Sequence, residues 1–425
     1  MLKENRFKGN ILCIDKTLPN GGLMSTNIIN GFTFDTGGSH VIFSRNEGIL
    51  SFMLELLERN NEKYIKHHRN SYVYLENNFV PYPFENGIWV LNEKSRYRIL
   101  SSFIVSLIEN SCKTKWRPNN LLEWIYGTFG KEIGDMYLIP YNEKIWKRNL
   151  ADIDSDWVYT PGRLPLPNWQ DVIKAGVGLK TEGYTEQAIF YYPYKGGIRT
   201  LFNSIYRQIS SYIKILPKTK IERIKFNGDY LIINNKIRSK EIISTIPLNE
   251  LLRIIDIDKE TKRLSSMLDY NSVAVVAVAL RGNAPKMHWV YVPDKTIIFH
   301  RYAWISNYSP MNAPRNNSSI IVEVTLKPND TFNQNYIESK VLEGLKSIGI
   351  LDESERNLLF IRSWYNKYGY PIYRKGHKVI RNRITSRLKE LKILPFGRWG
   401  LWHYWNMDKI LIEARNLLIK RLNLF

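Results

Sequence analysis

Asn10-Ile11-Leu12-Cys13-Ile14-Asp15, followed by Pro19-Asn20-Gly21-Gly22, decides how the rest of the chain is read. An apolar run closed by an acid and followed by a glycine turn predicts a short buried strand running into a loop. In a dinucleotide-binding βαβ unit, the acid that ends the second strand accepts hydrogen bonds from a ribose, about 20 residues after a G-x-G-x-x-G turn. Asp15 fits that acid. Counting back by that spacing runs past Met1, and the first nine residues offer one glycine and no strand. Two expectations follow. Either about 30 residues carrying the glycine loop lie upstream of Met1, as the size of a βαβ unit requires, or the chain is a degenerate relative that lacks the cofactor.

Composition narrows the class. The 425 residues suffice for two or three domains, and 44% hydrophobic with 24% charged residues is the balance of a water-soluble globular protein. The longest apolar stretch, 273–280, is far too short to cross a bilayer, and the first residues lack a basic-then-apolar export pattern, so a cytoplasmic location is expected. Cys13 and Cys112 cannot build a disulfide framework, and no Cys or His spacing matches a metal site. The formal charge of +21 is the one extreme value. Lys and Arg are spread along the chain with Asp and Glu interleaved, and no nucleic-acid module is present. Nucleic acid is therefore not an expected partner; the excess reads first as surface composition and solubility, with an anionic small-molecule substrate or lipid surface as the alternative.

Periodicity predicts helices over 49–57, 95–108, 121–129, 198–210, 337–345 and 408–422, and a loop-rich stretch over 156–188. A hairpin over 71–75 and 78–81 turns at Asn77-Asn78. Strands are expected over 213–216, 221–226, 230–233, 242–246, 273–280, 297–300, 320–324 and 360–365, with Asn227-Gly228 as a hairpin turn. Nucleotide-site signatures lie at both ends and in the middle. The domain expectation is a discontinuous nucleotide domain over 1–50, 190–255 and 385–425, with a substrate domain over 51–189 and 256–384.

Further motifs extend this reading. Asp15 precedes Gly21-Gly22-Leu23; Phe34-Asp35-Thr36-Gly37-Gly38-Ser39-His40-Val41-Ile42-Phe43 follows; then come Tyr137-Leu138-Ile139-Pro140-Tyr141-Asn142-Glu143-Lys144-Ile145-Trp146, Tyr194-Lys195-Gly196-Gly197, Lys220-Ile221, Ser244-Thr245-Ile246-Pro247, Tyr370-Pro371-Ile372, Gly397-Arg398-Trp399-Gly400 and Asn406-Met407-Asp408. In order and spacing this series resembles the flavoprotein superfamily of amine oxidases, protoporphyrinogen oxidases and UDP-galactopyranose mutases, and His40-Val41-Ile42-Phe43 is most similar to the mutase version. The resemblance implies an α/β fold: an FAD-binding Rossmann-like domain, N-terminally incomplete, with an inserted α+β substrate domain.

It also implies roles. Asp15, Gly21, Gly22, Leu23, Gly37, Gly38, Ser39, Ile221, Gly397, Arg398, Asn406, Met407 and Asp408 are the expected FAD contacts. The glycines would let the backbone approach the cofactor, Arg398 would offer a guanidinium fork to the pyrophosphate, and a helix starting near Asn406 would aim its dipole at the reduced ring. His40, Arg163, Arg301 and Tyr370 are substrate-contact candidates, with Lys195 a further anion contact; no catalytic residue is singled out. For each, ordinary packing or a solvated surface is the competing reading. The terminal helix, apolar along Ile410, Leu411, Ala414, Leu417, Leu418 and Leu422 and basic elsewhere, is expected to pack on the fold, with peripheral membrane contact as the lesser reading. The leading functional expectation is an FAD-dependent oxidoreductase. The alternative is a flavin-dependent isomerase of a nucleotide sugar, favoured by the His40 segment and the basic balance.

Overall fold

The strand Asp269–Arg281 is the spine of the molecule. Val273 to Leu280 consist only of valine, alanine and leucine, and every one is buried. Successive side chains point to opposite faces of a strand. Val273, Val275, Ala277 and Ala279 accordingly enter a cluster with Phe32, Phe34 and Ile42, while Ala274, Val276, Val278 and Leu280 enter another beneath the helix Gln334–Ser347. Burial on both faces, at about 1.5–3 kcal/mol for each fully covered valine, is what a near-continuous apolar run calls for. Asn317–Leu326 and Leu358–Ile372 flank this strand antiparallel, and Arg301–Ala303, Trp289–Tyr291, Ser71–Leu75 and Asn78–Pro81 complete a seven-stranded sheet in which only the Trp289–Tyr291 and Ser71–Leu75 pair is parallel.

This computed structural model describes residues 9–111, 116–159, 166–181 and 188–422. Its helices fall close to the expected places: Glu47–Glu58, Glu93–Ser111, Leu121–Ile133, Arg199–Ile209, Gln334–Ser347 and Met407–Leu422. The stretch expected to be loop also contains a helix, Trp169–Gly176, capped by Asn168. The first hairpin turns one residue early, at Glu76 and Asn77, both at positive φ. Expected strand 297–300 is not a strand. Ile297 and Phe299 instead lie under Gly344 of the helix Gln334–Ser347, and pairing begins at Arg301. The strand expected from Ile221 begins at Ile224, because the Asn234 side chain takes the main chain first: Oδ1 accepts from the N–H of Glu222 and Arg223, and Nδ2 donates to the Lys220 carbonyl.

The opening strand, Leu12–Ile14, is correctly placed but not buried. It pairs in parallel with Lys214–Leu216 alone, so Leu12 and Cys13 stay exposed. A second parallel pair joins Ile242–Ser244 to Ile393–Pro395. Outside the seven-stranded sheet, the parallel strands among the described residues thus form two separate pairs; they do not join into the Rossmann-like sheet expected. What gathers them is side-chain packing: Ile14, Ile221, Ile242, Ile393 and Trp399 meet in one cluster around Leu231, Leu252 and Trp402. The terminal helix packs through Met407, Leu411 and Ile412 against the cluster that holds the helix Glu47–Glu58. No helix among the described residues is long and apolar enough to cross a membrane.

Candidate functional site

Glu323 lies in the middle of the apolar strand Asn317–Leu326 and is almost fully buried. A charge there needs partners. Arg301 is its cross-strand neighbour, and its Nη2 straddles both carboxylate oxygens at 2.8 and 2.9 Å. The Ser39 N–H donates to Oε1 at 3.2 Å and the Tyr370 hydroxyl to Oε2 at 3.1 Å. Burial alone would raise the Glu323 pKa; Arg301 above all, with the Ser39 N–H, holds it down at about 2. The same buried setting lowers His300 to about 3, so that imidazole is neutral. Gly38, at φ 111, brings the main chain directly over the Glu323 carboxylate. Ser39 is fixed in turn by a 2.6 Å hydrogen bond with the Tyr308 hydroxyl.

Above this ion pair opens a cavity of about 280 Å³. Ser39, Val41 and Phe43 form one wall; Tyr137, Tyr141 and Trp146 from the helical region form another; Tyr370, Tyr404 and Asn406 close a third. Tyr370 and Tyr404 stack with ring planes 1° apart. Among the described residues two guanidinium groups reach the lining, Arg301 and Arg69, and no carboxylate side chain does. Arg69 lies between the rings of Tyr82 and Trp289, 4.3 and 4.7 Å from their centroids, and donates to the Tyr291 hydroxyl at 2.9 Å. Tyr291 is the cross-strand partner of Arg301. The two cations thus lie to either side of one tyrosine in a ring-walled chamber, an arrangement suited to an anionic group carrying an apolar or planar body.

Ser39, Arg301, Tyr370 and Asn406 all line this cavity. His40 adjoins it, its Nδ1 3.0 Å from the Gly38 carbonyl, with burial holding its pKa below the usual imidazole value. Met407 and Asp408 open the terminal helix just behind Asn406, and Asp408 accepts from the Ser44 hydroxyl. Asp15, Gly21, Gly22, Leu23 and Ile221 are not part of the lining. The Asp15 carboxylate is turned to the Thr17 N–H and hydroxyl. Arg163 lies outside the described residues, and Lys195 is exposed.

Arg398 and two of the glycines have protein partners of their own. Arg398 does not present a free fork: Nη2 donates to the Gly369 carbonyl and Nη1 to that of Trp405, with the guanidinium 4.2 Å over the Tyr404 ring, leaving only Nε buried without a partner. Gly37 and Gly400 approach protein, not open space. A Cβ at Gly37 would fall 2.0 Å from the Leu23 carbonyl oxygen, and one at Gly400 2.5 Å from that of Ser244. Gly22 and Gly397, at φ 60 and 80, have no atom closer than 4.0 Å where a Cβ would stand, and so border open space.

The sequence reading missed Glu323 and Arg69. An acid within Ile320-Ile321-Val322-Glu323-Val324 was a usable signal, because such a residue must find a cation once buried. Arg69 carried none, since its ring partners come from distant strands. Spacing also could not find Asp154, Asp156 and His377, whose ligating atoms lie within 4.8 Å of one another. Lys378 already holds Asp156 at 2.8 Å, and Arg381 adds positive charge at His377, so the local field disfavours a cation.

The fold that carries this chamber, a mixed sheet with a separate cluster joining remote stretches of chain, is shared with a UDP-galactopyranose mutase and a protoporphyrinogen oxidase-like protein. No family model matches the chain. A reduced UDP-galactopyranose mutase superposes with a TM-score of 0.88 at 24% identity, covering 100% of this chain and 92% of the other. A protoporphyrinogen oxidase-like protein from Exiguobacterium sp. 255-15 gives 0.70 at 14% identity over 98% and 94% of the two chains. A conjugated-linoleic-acid-producing fatty acid isomerase from P. acnes gives 0.61 at 13% over 96% and 91%. At these identities the likeness is one of fold.

Proposed function

We propose that this chain is an FAD-dependent isomerase acting on an anionic nucleotide sugar. The observation that carries this reading is the cavity's lining, which among the described residues has two arginines, eleven Phe, Tyr and Trp side chains and no carboxylate. Such a chamber favours a substrate that pairs anionic phosphates with planar and sugar rings. The fold of the mutase neighbour supports the same choice.

The residues suit FAD. Gly22 and Gly397 leave room beside the main chain, the start of the helix Met407–Leu422 faces the chamber at Asn406, and Gly38 and Ser39 bring main chain to its rim. Asp15, Gly21, Leu23, Gly37, Ile221, Arg398 and Asp408 complete the set proposed to hold or shape the cofactor site. Bound flavin would supply nucleophilic or electron chemistry at its ring nitrogen. The chain's own part is to orient the substrate: Arg69 and Arg301 hold its anionic portion, the Tyr370 and Tyr404 stack fixes a ring face, and the aromatic walls exclude water.

The aromatic character of the walls also supports a second reading, an oxidoreductase acting on a largely apolar substrate. Protein loaded with FAD and incubated with UDP-galactose, with and without dithionite, separates the two. Interconversion of the pyranose and furanose forms only under reduction is the expected result. Oxygen consumption with an amine or porphyrinogen, and no ring contraction, would put the oxidoreductase in its place; a colourless protein that refuses FAD would remove both.

A further inference from the structure

Folding concentrates the charge that is spread along the chain. Residues 214–268 and 374–392 hold 20 Lys and Arg against 8 Asp and Glu, a net +12, so less than a fifth of the chain carries more than half of its +21. The two stretches pack into one unit. The helix His377–Glu390 sends Ile384 and Leu388 into the same cluster as Leu264 of the helix Lys259–Ser265 and Ile224, Leu231 and Ile233 of the antiparallel sheet formed by Ile224–Asn227, Tyr230–Ile233 and Ile237–Ser239. Their outer surfaces adjoin. Arg387 reaches Asp258, just ahead of the helix Lys259–Ser265, at 3.2 Å; Arg223, beside the sheet, meets Asp256 at 3.1 Å; and Lys392 Nζ donates to the Gly228 and Asp229 carbonyls at the hairpin turn.

With Ile224, Leu231 and Ile233 turned inward, the alternate residues Lys225, Ile232 and Arg238 form one cross-strand row on the outer face of the sheet. Several acids of the unit are already taken up, Asp256, Asp258 and Glu260 by Arg223, Arg387 and Arg383. Lys236, Arg238, Lys259, Lys262, Arg263 and Lys389 stay exposed and in no ion pair among the described residues.

We propose that this unit docks on the anionic head groups of a lipid bilayer. Each cation near such a surface gains on its own, so cations divided between a sheet and two helices add together. A nucleic acid would call for them along one groove or one recognition element, and the sequence holds no nucleic-acid module. Val379 is the only large apolar side chain exposed on the helix His377–Glu390, so adhesion is by charge and not by insertion of that helix. Salt screens such contacts, the Debye length falling from ~10 Å at 0.1 M to ~3 Å at 1 M. The docking needs neither flavin nor substrate and stands apart from the proposed reaction.

Cosedimentation of the full chain with vesicles of phosphatidylcholine containing phosphatidylserine tests this. The wild type is expected to bind them, to ignore vesicles of phosphatidylcholine alone, and to be released by about 1 M salt. Lys259→Gln, Lys262→Gln and Arg263→Gln together should weaken binding about a hundredfold, about fivefold for each cation removed, with little change in Tm because all three side chains are exposed. Lys286→Gln, Arg315→Gln and Lys327→Gln together, equally exposed but outside the unit, should bind as the wild type does. A wild type that stays in the supernatant overturns the proposal, as does equal loss in the two triple variants. Tighter binding to single-stranded or duplex DNA than to the vesicles, lost in the first triple variant, would assign the surface to nucleic acid and overturn it as well.

Discussion

Glu323 concentrates the site's electrostatics in a single side chain. Removing one partner of a buried pair costs about 3–5 kcal/mol, so Glu323→Gln should lower stability by that amount in urea titrations and leave Arg301 and Tyr370 misdirected. Its pKa is depressed from 4.5 to about 2 in the folded protein. The stability it adds is therefore full above pH 4.5 and is lost as pH falls toward 2. Acid unfolding of the Gln variant should lack that share of the pH dependence. Arg69 acts through shape as well as charge: a lysine keeps the charge but loses the planar stack between Tyr82 and Trp289. Arg69→Lys should raise the Kd for UDP about tenfold by calorimetry, with little change in Tm. At this scale Arg301 and Tyr370, singled out from the sequence, both line the cavity. The sequence was opaque at Arg69, whose setting is built by strands more than 200 residues apart.

Among the elements, the turn from Phe32–Asp35 into the Gly37-Gly38 segment is held by Asp35, fully buried and accepting from the Thr26 and Tyr192 hydroxyls and the Ile198 N–H. Burial outweighs these bonds and pushes its pKa up to about 6. Here the sign is opposite to that of Glu323. Its favourable share is complete below pH 3.8 and disappears as pH rises through 6, so Asp35→Asn should flatten the stability profile between those values in thermal melts. Close approach is tested by glycine pairs. Gly37→Ala, facing the Leu23 carbonyl, should cost about 3 kcal/mol, and Gly22→Ala, strained only by its φ, about 1 kcal/mol. Strand 273–280 was legible because both its faces are apolar, and so were the helices, whose period is long enough to register. Strand 297–300 was misread because buried residues in an unpaired segment look like a strand, and Ile221 because an asparagine side chain did the work of a ladder.

At the scale of the whole molecule, convergence of remote segments was legible from the order of motifs, but its physical form was not. Short three-residue parallel pairs contribute few ladder bonds, and the joining is done by the cluster around Trp402, buried and donating to the Asp269 carbonyl. Trp402→Ala should cost about 3–5 kcal/mol, and hydrogen exchange should rise together in the peptides containing Ile14, Ile221 and Ile242, although none is adjacent in sequence. That shared cluster also orders events on the ribosome. The helical region around Trp124 and Phe129 draws most of its packing partners from residues 73–175 and can condense while synthesis continues. The layer that joins Ile14 to Ile221 must wait for Ile393, Trp399 and Trp402 to emerge, so a segment made well before its partners is among the last to find its place.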